Sequence, residues 1–187
     1  MHLIVVHGVP GVGKRTVCGE LARLTGFRFL NAHHLAVLLG PVFEYGTPTF
    51  NRLRDQVYDS LIDEAAELGL PGLIVTCIFE PSVDIARFER HAALCEQRGG
   101  ETVFVGLTCT PAELHSRMTS ADREPLGKWT DYEALERWMS RGHFDFPTNL
   151  PGRSLIIETT GMPAHQSAHR IFERLPAAMQ PAGTHAH

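Results

Sequence analysis

The run Gly8-Val-Pro-Gly-Val-Gly-Lys14 constrains this chain more than any other stretch. It follows a short apolar run, Leu3–Val6, and precedes a helix-compatible segment from Arg15 to Leu24. Strand, Gly-rich turn, Lys and helix, in that order, make a phosphate-binding loop. The glycines let successive backbone N–H groups point inward without Cβ clashes, and the helix N-terminus adds positive potential at the same place. On this reading Gly8, Gly11, Val12, Gly13, Lys14, Arg15 and Thr16 hold the phosphates of a nucleotide, with Lys14 reaching the β- and γ-phosphates as a point charge. The full motif ends in Lys followed by Ser or Thr, whose hydroxyl ligates Mg²⁺. Here Arg15 follows the Lys and Thr16 comes one place late, which leaves Thr16 as the hydroxyl for the metal. Of the 17 basic residues all but Lys14 and Lys128 are arginine, so a lysine in the loop stands out against the chain's own habit.

The remaining composition bounds the partners. The length of 187 residues suits one domain, expected over residues 1–180, with a flexible polar tail at 181–187 whose His185 and His187 carry no assigned role. A formal charge of −4 offers no polycation for nucleic acid or anionic lipid. No stretch approaches the roughly 18 unbroken apolar residues of a membrane span. The N-terminus lacks a basic leader, so a cytoplasmic protein is expected. Cys18, Cys77, Cys95 and Cys109 are widely spaced and read as buried free thiols.

Along the chain, strand patterns alternate with helical ones. Leu3–His7, Phe27–Leu30, Leu73–Phe79, Thr102–Thr108 and Ser154–Glu158 read as strands. All but the second are near-continuous apolar runs, as parallel strands covered on both faces should be. Helices are expected over Lys14–Thr25, Thr49–Leu68, Val83–Arg98, Pro111–Met118, Asp131–Arg141 and Pro163–Ala178. In Thr49–Leu68 the apolar face is read as Leu53, Val57, Leu61, Ala65 and Leu68. Five parallel strands with crossover helices make a three-layer α/β/α domain, whose ligands bind beyond the carboxyl ends of the strands.

Those strand exits carry the candidate chemistry. Asn31-Ala-His33-His34 follows the second strand, and two histidines there suit proton acceptance or substrate binding. Of the pair, His34 is the expected proton acceptor, with Asn31 and His33 binding substrate; a polar cap on the following helix is the plain alternative. After the third strand Thr76 stands where an acid commonly holds Mg²⁺, and Glu80 is the nearest carboxylate. The stretch from Gly40 to Asp55 sets Phe43, Tyr45 and Phe50 beside Arg52 and Arg54. Phe50 and Arg52 are therefore expected in a pocket for a polar acceptor, within an acceptor-binding insertion at 31–68. The same set also suits an apolar knot with solvated arginines. Residues 117–130 read as a lid whose Arg117 and Arg123 close over a transferring γ-phosphate, with Lys128 at hand.

With these parts in place the chain resembles the small P-loop kinases, among them shikimate kinase, gluconate kinase, the nucleoside-monophosphate kinases and chloramphenicol phosphotransferase. The resemblance runs to about Met179 and is carried by Gly8–Thr16, by Leu107–Arg117 with Arg123, and by Ile156–Gly161. It implies a sheet in the order 2-3-1-4-5, ATP or GTP as phosphoryl donor with Mg²⁺, Gly161 in a loop against the nucleotide base, and a small acceptor under a lid. Arg15, Thr76 and the Asn31/His33/His34 set depart from those families and point to an acceptor of its own, such as a natural product or antibiotic hydroxyl. The expected activity is an ATP-dependent phosphotransferase acting as a monomer or homodimer. A non-catalytic or sensing nucleotide-binding protein is the alternative, and a nucleic-acid kinase is disfavoured by the acidic balance.

Overall fold

The structure is a computed structural model that describes residues 1–79, 85–120 and 131–181. Its centre is β1 (His2–His7), whose Leu3, Ile4, Val5 and Val6 are all fully buried. Apolar β-branched residues on both faces make this a strand that must be covered twice. It pairs in parallel with β3 (Gly72–Cys77) on one side and β4 (Thr102–Thr108) on the other, Val5 standing opposite Val75 and Phe104. The edges are β2 (Arg28–Leu30), on β3, and β5 (Arg153–Glu158), on β4, so the order is β2-β3-β1-β4-β5 with every pair parallel. This is the order the resemblance implies.

Alternation along the strands sorts the core into two layers. Ile4, Val6, Ile74, Val105 and Leu107 face α1 (Lys14–Thr25) and α7 (Ala164–Phe172), which also pack on each other. Leu3, Val5, Leu73, Val75 and Phe104 face α3 (Pro48–Glu67) and α4 (Ile85–Gln97). A satellite cluster joins Leu114 and Met118 of α5 (Pro111–Met118) to Leu135 of α6 (Tyr132–Met139) and Phe144. Helix boundaries follow local chemistry. Thr110 accepts a hydrogen bond from Glu113 N at 3.4 Å, with Pro111 at the first helical position, and Thr47 caps α3 the same way ahead of Pro48. Three expectations change. β5 is an edge strand with one face largely open, Ile156 being 63% exposed. The last helix stops at Phe172, ahead of Pro176, and a short 3₁₀ turn, Ala177–Met179, follows. The buried face of α3 is Phe50, Tyr58, Ile62, Ala65 and Ala66, while Leu61 and Leu68 are exposed.

Two buried histidines make stability depend on pH. His7 lies between the edges of Phe79 and Phe146, and His91 on α4 lies beside Asp59, Asp63 and the Arg90 guanidinium. Burial, reinforced by Lys14 for His7 and by Arg90 for His91, lowers each imidazole to about 4. The unfolded chain, titrating near 6.5, therefore takes up protons between pH 6.5 and 4 that the folded one refuses. Stability is full above pH 6.5 and falls as the pH drops toward 4, by on the order of 3 kcal/mol per histidine. Urea unfolding midpoints at pH 7, 6 and 5 should show the decline, and His7→Phe should flatten it. An equal slope in the two proteins would contradict this assignment.

Candidate functional site

β1 delivers the chain into the Gly-rich loop at the carboxyl edge of the sheet. Gly8 has φ 140°, and a Cβ there would stand 2.6 Å from the Leu107 carbonyl oxygen, so only glycine fits between β1 and β4. Gly13 has φ 103° and caps α1 in a left-handed conformation. Lys14 folds back across the loop, its Nζ donating to Gly8 O at 2.7 Å and Val9 O at 2.9 Å. Arg15 and Thr16 are exposed on the first turn of α1 and face the same cavity.

Arg117, at the end of α5, is built into the frame. Its Nη1 donates to Val12 O at 2.9 Å and to Thr159 Oγ1 at 3.0 Å. Its Nη2 donates to Thr159 O at 2.8 Å and its Nε to Glu113 Oε1 at 2.8 Å. The side chain expected to sweep over the γ-phosphate instead fastens the phosphate loop to the exit of β5. Thr159, which the sequence reading did not single out, is buried there and bonds Thr108 O through both its N and Oγ1, at 2.9 Å each. Gly161 is exposed in the following turn with φ 62°; Thr159 and Met162, on either side of it, reach the cavity wall. The other expected lid cations, Arg123 and Lys128, and the carboxylate Glu80 lie outside the described residues.

The cavity has a volume of about 1580 Å³ and runs from the phosphate loop, past the ends of β1 and β3, to α2 (His33–Leu39), α3 and α4. Asn31, 4% exposed, lines it. Asn31 Oδ1 accepts from His33 N at 3.2 Å and from Thr76 Oγ1 at 3.4 Å. Thr76 Oγ1 in turn accepts from Ala32 N at 3.0 Å, and the Tyr58 hydroxyl donates to Thr76 O at 3.2 Å. Burial pushes the Tyr58 phenol well up, so it remains a donor. His33 lines the cavity. His34, the expected proton acceptor, is the next residue round the helix and is exposed away from the cavity.

The α3 residues divide by the geometry of a helix. Phe50 is fully buried against Tyr45, so it supports the wall from behind. Arg52 is exposed and donates to Gln56 Oε1 at 3.1 Å, off the cavity. Arg54, four residues beyond Phe50 and four before Tyr58, shares their face and lines the cavity with Asp55. Asp55 Oδ1 accepts from Arg54 Nε at 2.9 Å. Arg87, on the first turn of α4, places its Nη1 2.7 Å from the same oxygen. That is near enough to ion-pair but out of line for a hydrogen bond, and Arg87 Nε has no hydrogen-bond partner.

Magnesium, which the resemblance implies, finds few donors here. The Thr76 hydroxyl is committed to Ala32 and Asn31, and the carboxylates on the cavity wall, Asp55 and Glu113, are paired to arginines. Among the described residues no three His, Cys, Asp or Glu side chains gather to hold a metal. Thr16 alone does not make a divalent-cation site, so the described residues do not fit a protein-held Mg²⁺. Among the described residues, no helix is long and apolar enough to cross a membrane.

An AAA-domain family model matches residues 4–138. No curated protein matches the sequence. Among solved structures, a candidate kinase from Chloroflexus aurantiacus is 19% identical with a TM-score of 0.67, over 94% of this chain and 98% of that one. A sugar kinase from Janibacter is 16% identical at a TM-score of 0.62, over 92% and 93% of the two chains. A gluconokinase from Sinorhizobium meliloti is 18% identical at 0.53, over 92% and 94%. At these identities the likeness is one of fold, that of the small P-loop kinases.

Proposed function

Because the chain belongs to the AAA-domain family, matching its model over residues 4–138, we propose that it is a small-molecule kinase. It moves the γ-phosphate of ATP, or of GTP, to a hydroxyl of a small acceptor. The observation that carries this reading is that one cavity is lined both by Lys14 and the phosphate loop and by His33, Asn31 and Arg54. The loop amides and Lys14 hold the phosphates, and Arg117 keeps the loop in register with β5. The acceptor oxygen attacks the γ-phosphorus, the bond from that phosphorus to the bridging oxygen breaks, ADP leaves, and the hydroxyl proton passes to the His33 imidazole. Such transfer is mostly positioning and electrostatics, so one weak base suffices. Protein cations meet the phosphate charge in this scheme, and no step is assigned to Mg²⁺. Residues 31–68 serve as the acceptor element, while most of the expected lid, residues 121–130, lies outside the described residues.

We assign the proton acceptor to His33 rather than His34 because His33 lines the cavity, and a paired substitution tests this. His33→Ala should lower kcat for acceptor-dependent ADP release by about a hundredfold, while His34→Ala stays within about twofold. The reverse order would overturn the assignment. The scarcity of metal donors favours a second reading, a nucleotide sensor without transfer. It is distinguished by ADP and ATP binding with no acceptor-stimulated turnover.

A further inference from the structure

We propose that this protein takes its nucleotide without a divalent cation, the Arg15 guanidinium filling the place at the β- and γ-phosphates that a metal ion otherwise fills. The proposal rests on the nucleotide-binding half of the reading above and starts from the misfit of Mg²⁺ to the described residues. Arg15 follows the loop lysine, at the position where the full motif sets its metal-binding hydroxyl. Thr16, one residue on, stands about 100° further round α1 and does not take that hydroxyl's place. Among the described residues four arginines line the cavity, Arg15, Arg54, Arg87 and Arg117. Arg54 and Arg87 pair with Asp55, and Arg117 pairs with Glu113. Arg15 is exposed and, among the described residues, pairs with no carboxylate.

Electrostatics at the start of α1 call for an anion and turn a metal ion away. Lys14 and Arg15 are adjacent cations at a helix N-terminus, and the first turn of α1 holds no acid. The helix dipole already contributes positive potential there, so both cations are unfavourable until an anion meets them. The carboxylates on the described cavity wall, Asp55 and Glu113, are already paired to arginines. A divalent ion beside Lys14 and Arg15 would meet repulsion with no unpaired carboxylate among the described wall residues to offset it. A nucleotide without its metal carries more negative charge than its magnesium complex, and two side-chain cations meet that charge. A guanidinium is planar, permanently charged and bidentate toward phosphate oxygens, so it bridges neighbouring oxygens with no hydroxyl needed to hold it. With no carboxylate on it, Arg15 keeps its donors for the nucleotide. The departure of Arg15 from the full motif thus exchanges one cation for another.

The test is calorimetric titration of ADP into the full chain, once with Mg²⁺ and once with EDTA, at matched ionic strength. The two dissociation constants should agree within about threefold. Arg15→Ser supplies the motif hydroxyl and removes the guanidinium. It should weaken ADP binding in EDTA by about thirtyfold, the loss of a charge-assisted pair of bonds, and should make binding tighter with Mg²⁺ than without. Arg23→Ala removes an exposed cation from the last turn of the same helix and separates direct contact from general charge. It should change ADP affinity by no more than about twofold. Thermal unfolding confirms that each variant is folded. Parent binding that tightens by more than about threefold with Mg²⁺ would overturn the proposal. So would Arg15→Ser that matches the parent in EDTA, or that is indifferent to Mg²⁺. ADP that binds in neither buffer defeats the nucleotide reading and this inference with it, whereas binding that needs Mg²⁺ defeats this inference alone.

Discussion

Lys14→Ala is expected to weaken ADP binding by about a thousandfold, roughly 4 kcal/mol, while leaving the fold intact. Lys14 Nζ donates to carbonyls of its own loop, Gly8 O and Val9 O. Substitution therefore removes the loop's point charge without touching the core under β1. The loop's shape is held separately, by the glycines at positive φ and by the bond from Arg117 to Val12 O. Calorimetric titration of ADP into both proteins measures the first part and thermal unfolding the second. ADP affinity retained within about tenfold would mean that the loop amides alone hold the phosphates.

Gly8→Ala should be the most damaging single-methyl change in the loop. At φ 140° an L side chain is strained, and the added Cβ meets Leu107 O at 2.6 Å. That carbonyl belongs to β4, which is hydrogen-bonded between β1 and β5, so it has no room to retreat. A loss of about 3 kcal/mol is expected, a fall of roughly 10 °C in Tm for a domain of this size, together with loss of nucleotide binding. Gly19→Ala supplies the contrast. A Cβ there meets nothing within 4 Å inside α1, so alanine should raise stability by about 0.5–1 kcal/mol through helix propensity. If the two variants unfolded alike, the close fit of Gly8 against β4 would be refuted.

The order of elements and the phosphate loop were legible because their signals are local. Leu3–Val6 is apolar on both faces, Pro111 follows a capping Thr110, and Gly13 and Gly26 bound α1. What the sequence hid depends on contacts far along the chain. The apolar residues of α3 fit two helical faces about equally well, and the buried one carries Arg54 and Asp55, which a purely apolar count passes over. Arg52 and Phe50 therefore read as pocket residues, although one faces solvent and the other faces the core. Adjacent histidines point apart, and nothing local tells which of His33 and His34 meets the cavity. Arg117 reads as a lid cation by its place after a Pro-started helix. Its partners, Val12 and Thr159, lie 105 and 42 residues away.

The most direct measurement of the central claim is ³¹P NMR of the full chain with ATP and a panel of hydroxyl acceptors. The panel should span neutral sugars, sugar acids, phosphorylated sugars and natural-product alcohols. A new phosphomonoester resonance, growing with ADP for at least one acceptor and absent with Lys14→Ala, is the predicted result. ATP that binds yet yields no phosphomonoester with any acceptor would contradict the account and leave a nucleotide sensor in its place.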